Sequence, residues 1–329
     1  MLATPLDESS DPALALSGKA NAVSADGTVV FGWVETVDQS GGPPLHRAAR
    51  WDSSGALQQL DPDSLVSSEA TNTNCDGTVA TVDSLRGTTV WSAIAAPRPL
   101  TAFGSGLSRV NAFSADGSIG VGSAVAPPGI AYPVKFELNT AAPPALLSVE
   151  SNAVGVSADG GTALLSHDTS DYYANFAFLV GSGGGYAFAG HGLALSADGR
   201  VAVGLGSTAA VRTRPVRWSR GSKLEDLPCV TAPPGFTMSC VPRCVSSKGS
   251  VIAGSVDSVF LGSFVWDARH GSRDLQQLLT DYGLDLVDWE ELTIEDMSDD
   301  GRVLVGQGLN LTTFQYLPFR VTLPVGAFD

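Results

Sequence analysis

The chain has 329 residues, with 34 Asp and Glu against 19 Lys and Arg, a net charge of −15 and 37 Gly. This charge, with so few Lys, argues against nucleic acid or a membrane surface as partner, because both are held through clustered cations. No run of about 18 apolar residues occurs, so no spanning helix is expected, and 43% hydrophobic residues exclude a disordered chain.

The N-terminus, Met1 to Glu8, has no basic segment followed by an apolar core, so it does not read as a signal peptide. The chain is then either cytosolic or the mature form of an exported protein. Residues 1–11 read as a tail without fixed structure, and residues 12–329 as a single domain. Within the latter, Ala13-Leu14-Ala15-Leu16 resembles a strand that precedes the first full unit.

A hairpin motif then begins. It runs Asn21-Ala22-Val23-Ser24-Ala25-Asp26-Gly27-Thr28-Val29-Val30-Phe31-Gly32 and returns at 111–122, 193–204 and 295–306. Weaker copies centre on Asp76-Gly77, Asp159-Gly160 and Lys248-Gly249, so the turns fall at 26, 76, 116, 159, 198, 248 and 300. Before each Ser, large apolar residues (Val23, Phe113, Leu195, Met297) alternate with small ones (Ala22, Ala112, Ala194), the period of a strand. Asp-Gly supplies the turn, with Gly at positive φ and Asp bonding nearby backbone. A Val-rich second strand ends in Gly. A third strand with an aromatic follows, as in Ala49-Arg50-Trp51, Val216-Arg217-Trp218 and Phe264-Val265-Trp266. A fourth apolar segment often comes next, such as Ala56 to Leu60 or Lys223 to Leu227.

Seven four-stranded units of about 47 residues point to an all-β fold, a seven-bladed β-propeller of four-stranded antiparallel blades. The last unit runs out after its third strand, so the N-terminal strand 13–16 is expected to pair into the last blade and close the ring.

Four cysteines are present. Cys229 and Cys240 flank Pro233-Pro234-Gly235, which makes a local disulfide sterically reasonable, with free buried thiols as the alternative. A zinc site is not expected: no CxxC occurs and the four His are scattered.

The Ala-x-x-Ser-Ala-Asp-Gly-x-Val-x-Val-Gly hairpin, with its aromatic Arg-Trp strand, resembles the bacterial HAF-type extracellular repeat family. The stretch Leu278 to Trp289 is similar to the segment that often precedes the last repeat there. The likeness spans 20–322 and departs at Cys75, at Lys248 and at the insert 228–242. It implies a secreted or periplasmic repeat protein and no particular activity.

The turn Asp residues are read as structural. The first strands line the axis, and the residues entering them are polar where apolar side chains would be ordinary: Asn21, Glu69 or Thr71, Asn111, Asn152, His191, Arg243 and Glu295. Convergent polar groups are what a ligand pocket needs. Four long loops gather on the same face, at Trp33–His46, His167–Tyr173, Val230–Pro242 and Leu279–Leu292. The ligand-binding candidates are therefore Asn21, Trp33, Asn111, Asn152, Tyr172, Tyr173, Arg243 and Glu295. Catalytic candidates are His167, Asp168, His191 and Glu295. Asp168, His191 and Glu295 are candidate ligands for a divalent cation such as calcium, although no loop has EF-hand spacing. The expected function is ligand binding, of a carbohydrate, protein or small molecule at the channel mouth, by a monomer. The alternative is a hydrolase of esters, phosphoesters, lactones or glycosides at the same place.

Overall fold

Each hairpin turn, five of them Ser-x-Asp-Gly and the others Asn74 to Gly77 and Ser246 to Gly249, turns one strand back on the next, and the seven hairpins set the architecture of the computed structural model. It describes residues 4–5, 17–36, 42–61, 66–100, 108–126, 129–140, 142–147, 151–167, 176–181, 186–208, 211–222, 224–231, 238–257 and 262–329. After β1 (Thr4–Pro5), blade 1 is built from β2 (Gly18–Val23), β3 (Val30–Thr36), β4 (Leu45–Trp51) and β5 (Leu57–Gln59). Blade 2 has β6 (Ser68–Thr73), β7 (Val79–Ser84), β8 (Gly87–Ser92) and β9 (Arg98–Pro99). Blade 3 has β10 (Ser108–Phe113), β11 (Ile119–Ala126), β12 (Ile130–Glu137) and β13 (Ala145–Leu146).

Blades 4 and 5 share a strand. Blade 4 has β14 (Asn152–Val156), β15 (Thr162–His167), β16 (Phe176–Gly181) and the first half of β17 (Tyr186–Leu195). The second half of β17 pairs instead with β18 (Val201–Thr208) and is the inner strand of blade 5, completed by β19 (Val211–Ser219) and β20 (Leu224–Asp226). Blade 6 has β21 (Ser239–Val245), β22 (Val251–Asp257), β23 (Gly262–Asp267) and β24 (Gly271–Asp274). A short helix α1 (Leu275–Asp281) precedes blade 7, which has β25 (Trp289–Met297), β26 (Val303–Asn310) and β27 (Gln315–Thr322).

The ring is closed by an N-terminal strand, as expected, but from another place. Thr4 pairs with Arg320 and Pro5 with Phe319, so β1 is the outer strand of blade 7. This pairing lies within the stretch read as a tail, and Ala13 to Leu16 fall outside the described residues. The expected loop 279–292 is also partly ordered structure. Asp274 caps α1 by accepting from the Gln277 amide, and Leu275, Leu278 and Leu279 are buried with Leu284 and Leu292. Cys229 and Cys240 form the local disulfide, with Cα atoms 5.5 Å apart.

Apolar faces of neighbouring blades supply the core. Trp51 of blade 1 is fully buried against Val303 and Val305 of blade 7, and Trp91, Phe136 and Trp218 fill like places. Burying such a ring contributes roughly 1.5–3 kcal/mol at each interface.

Two local devices recur around the ring. First, every inner strand carries a β-bulge five residues before its turn, at Asn21, Thr71, Asn111, Val154, Leu193, Arg243 and Glu295. In five blades a carbonyl beside the bulge approaches the Gly that ends the motif, whereas Val82 and Leu165 hold that place in blades 2 and 4. A Cβ at Gly32, Gly122, Gly204, Gly254 or Gly306 would stand 1.8–2.0 Å from that carbonyl oxygen. Second, the turns bond to one another. Ala25 N–H donates to Cys75 O (2.8 Å), Cys75 to Ala115, Ala115 to Ala158, Ala158 to Ala197, Asp198 to Ser247, Ser247 to Asp299, and Asp299 back to Ala25 (2.9 Å). All seven turns therefore lie on one face and form a closed backbone hoop around the axis.

Candidate functional site

An axial cavity of about 330 Å³ extends from the bulges to the hoop. Its position follows from the bulge, which turns residue −5 (counted from the turn) and its successors toward the axis. Asn21, Asn111, Val154, Leu193, Arg243 and Glu295 line it at the bulge, and Ala25, Cys75, Ala158, Ala197 and Asp299 line it at the hoop.

The wall has three sectors. Across blades 1 to 4 the side chains are amides, each bonded to the next blade: Asn21 donates to Ala70 O (2.9 Å), Asn72 to Val110 O (3.2 Å) and Asn111 to Ala153 O (2.8 Å). Across blades 4 and 5 the wall is apolar, with Val154, Leu193 and Leu195. Across blades 6, 7 and 1 it is ionic. Glu295 lies 3.0 Å from Lys19 Nζ and 4.0 Å from the half-exposed Arg243 guanidinium.

Asp296 sits beside Glu295. Its two carboxyl oxygens accept the backbone N–H groups of Val23 (2.9 Å) and Met297 (2.8 Å), so it ties blade 7 to blade 1. Desolvation outweighs those two donors and pushes the carboxyl up to about 7. Asp299 on the hoop is raised by desolvation and then by Asp300, and the Cys75 thiol is raised by desolvation and then by Asp299. Buried Cys244 moves the same way, for the same first cause. Desolvation thus favours the neutral forms of Asp296, Asp299, Cys75 and Cys244.

Four turn carboxylates, Asp26, Asp76, Asp116 and Asp159, are shifted the other way. Asp26, Asp76, Asp116, Asp159, Asp198 and Asp300 each accept the N–H two residues on, at 2.8–3.1 Å. In Asp116 the Ser118 amide, then the Ser114 and Ser118 hydroxyls, bring the carboxyl down to about 2. These carboxylates are structural caps.

The site residues expected from sequence divide clearly. Asn21, Asn111, Arg243 and Glu295 come together around the cavity. Asn152 and His191 do not line it. They stand two residues before the bulge in blades 4 and 5, where Val154 and Leu193 hold the axial positions. His191 Nδ1 instead meets Ser166 Oγ at 3.2 Å, and Ser166 is fully buried, so this pair presents no nucleophile to a substrate. Trp33 stacks on His46 at 3.8 Å, away from the cavity, and His46 Nδ1 contacts Glu69 at 2.9 Å. His167 ends β15, half-buried, opposite Phe176. Asp168, Tyr172 and Tyr173 lie outside the described residues. Among the described residues, no three His, Cys, Asp or Glu groups are placed to hold a metal ion. Sequence reasoning passed over Asp296 and Lys19. A fixed count back from each Asp-Gly turn would have corrected blades 4 and 5, but nothing in one sequence marks where the bulge falls.

The fold and cavity define a closed seven-bladed β-propeller with a polar axial site. No protein-family model matches the chain, and no curated protein does. Solved structures do match. The β-propeller domain of the Trilobed protease from Pyrococcus furiosus is 8% identical over 94% of this chain and 95% of that one, with a TM-score of 0.63. An oligogalacturonate lyase in complex with manganese is 12% identical over 94% and 90%, with a TM-score of 0.58. A protein assigned as TolB from Agrobacterium tumefaciens is 15% identical over 82% and 95%, with a TM-score of 0.51. At such identities the likeness is one of fold.

Proposed function

We propose that this chain is a binding propeller that acts outside the cytoplasm and takes a polar ligand, a carbohydrate or a segment of a protein, into its axial channel. The observation that carries this reading is the ionic sector of the cavity wall. Arg243 lines the cavity half-exposed, and among the described residues its one carboxylate contact is Glu295 at 4.0 Å, with Asn21 on the same level. A cation, a carboxylate and amides on one rigid ring can recognise hydroxyl, carboxyl and amide groups together. The apolar sector opposite accommodates a ligand's less polar side. The Cys229–Cys240 disulfide supports an oxidising compartment, and the HAF-type character of the repeats points the same way.

The reading is tested by applying the protein to arrays of glycans and of peptides, beside the double variant Arg243→Ala, Glu295→Gln. The expected result is a ligand class held by the parent protein and weakened at least tenfold in the variant, about 1.4 kcal/mol, with unchanged melting temperature. Undiminished binding by the variant would move the site elsewhere. Turnover of nitrophenyl esters or glycosides that depends on Glu295 would replace binding with hydrolysis.

A further inference from the structure

A second cleft, of about 730 Å³, lies on the turn-facing side where blades 5, 6 and 7 meet. It shares no lining residue with the axial cavity. Three observations mark it as a site.

The first is Trp266. The third-strand aromatics Trp51, Trp91, Phe136 and Trp218 are at most 8% exposed, whereas Trp266, in the same place of blade 6, is only half-buried and lines the cleft. Arg217 lies over this ring, 5.8 Å from its centroid. One Arg217 amino group reaches Glu225 at 3.0 Å, while its buried Nε has no acceptor.

The second is Lys248. Six of the seven turns hold Asp at this position, and each Asp accepts the N–H two residues on. Blade 6 has an exposed Lys instead. Its turn still forms, with Gly249 at φ 73° and its N–H donated to Ser246 O at 2.9 Å. The turn thus forms without the carboxylate that the other turns use, and among the described residues Lys248 supplies no cap in its place. The Ser250 N–H, which that carboxylate would have accepted, has no acceptor among the described residues.

The third is charge. Neither Lys248 nor Arg269 has a carboxylate partner among the described residues, and both line the cleft. Of the acids there, Asp267 is held by Arg273 (2.6 Å) and His270 (2.9 Å) and Asp300 caps its own turn beside Arg302, while Asp329 shares the lining with the cations of Arg217, Lys248, Arg269 and Arg302. In a chain of net charge −15 a pair of free cations beside a half-open Trp is an exception to the general repulsion of anions.

We propose that this cleft binds an acidic sugar. The flat C–H face of the sugar ring rests on Trp266. Its carboxylate takes the role that Asp has in the other turns, accepting from Ser250 N–H between the charges of Lys248 and Arg269. Bonds from a cation and a backbone amide to one carboxylate are of the strong, charge-assisted kind.

The experiment is a ligand-observed NMR and calorimetric titration with D-glucuronate, D-glucose and inorganic phosphate. Glucuronate and glucose differ only in the C6 carboxylate, and phosphate carries charge without a ring. Glucuronate is expected to bind at least tenfold tighter than either. Lys248→Asp, which installs the residue found at the six other turns, is expected to keep the melting temperature or raise it and to lose at least tenfold in glucuronate affinity. Trp266→Phe is expected to weaken glucuronate and leave phosphate unchanged. Glucuronate is also titrated against the axial double variant Arg243→Ala, Glu295→Gln: a loss there with Lys248→Asp unaffected would place the sugar in the channel and overturn this proposal, whereas a loss in Lys248→Asp alone supports it whatever becomes of the channel reading. Absence of glucuronate binding, equal binding of glucose or phosphate, or full binding by a folded Lys248→Asp protein would overturn the proposal.

Discussion

The amide and ionic sectors of the channel are built on the same backbone and do different things with it. Both have the bulge, the close-approach glycine on the second strand and a place in the hoop. In the amide sector each Asn donates one N–H to a carbonyl of the next blade, so part of its polarity is used within the wall. In the ionic sector Glu295 and Arg243 stand at the bulge level with Asp296 one residue on, and Lys19 reaches Glu295 from two residues before the bulge of blade 1. Stitching one blade to the next does not require charge, as the amides show. Desolvated charges cost free energy that neutral amides avoid. The difference is that the amide wall closes on itself, whereas the ionic wall leaves Arg243 half-exposed to the cavity.

The largest effect tests what the two sectors share. Gly306→Ala and Gly122→Ala each place a Cβ within 1.9 Å of a carbonyl oxygen, in the ionic and amide sectors respectively. Main chain cannot move aside cheaply, so each is expected to lose about 2–4 kcal/mol of stability in urea unfolding. A loss confined to one sector would mean that the bulges are not equivalent.

Next comes Asn111→Ala. It removes the donor to Ala153 O and leaves that carbonyl short of a partner. The expected loss is about 1–2 kcal/mol, the same at every pH between about 5 and 9, because no group titrates. A pH-dependent loss would show that the amide sector is coupled to the acids across the channel.

The sequence made the sheet order legible because its signals are local and repeated. The Asp-Gly turn, the alternation before it and the aromatic of the third strand each act within a few residues, and seven copies average out the weak ones at 76, 159 and 248. Two of the long-range pairings were partly hidden. Thr4-Pro5 carries no strand signal of its own and becomes a strand only because blade 7 offers an open edge. The shared strand β17 spans two blades that the repeat count treats as separate. For the site, Asn21, Asn111, Arg243 and Glu295 were legible as polar residues at strand starts. Asn152 and His191 misled because the bulge shifts the axial position by two residues, and a bulge is a backbone event with no fixed residue type. Asp296 was hidden for a related reason: in the strand pattern it occupies the place of Ala22 and Ala112, an apolar level, and only blade closure gives it the Val23 N–H.

A smaller effect distinguishes the sectors by pH. The folded-state carboxyl of Asp296 titrates near 7, above its unfolded value near 3.8. The folded state therefore holds a proton that the unfolded state releases. Its stabilising contribution is fully present below about pH 3.8 and is lost as pH rises through about 7. Asp296→Asn removes this term. Since Asp296 is half-buried rather than sealed off, the stability difference between variant and parent is expected to shift by about 1–2 kcal/mol in favour of Asn between pH 4 and pH 8. Parallel melting curves for the two proteins would place Asp296 outside the desolvated wall.

The smallest effect has the opposite sign and belongs to the hoop. Asp116 titrates near 2 when folded, below its unfolded value near 3.8. Its contribution is present above about pH 3.8 and is lost as pH falls through about 2. Asp116→Asn is expected to lower the melting temperature by a few degrees at pH 6, through the weaker acceptor offered to the Ser118 amide, and to converge on the parent near pH 2. Asp26, Asp76 and Asp159 are depressed in the same direction by their own Ser, Thr and backbone donors, so acid loosens the hoop from several turns together. Base acts on the other group, the desolvated acids at the blade 7 to blade 1 junction. The two titrations oppose each other, and the propeller is expected to be most stable in mildly acid solution, between the two titration ranges. A melting-temperature maximum at or above pH 8 would break the comparison, because the ionic sector would then hold its charges without cost.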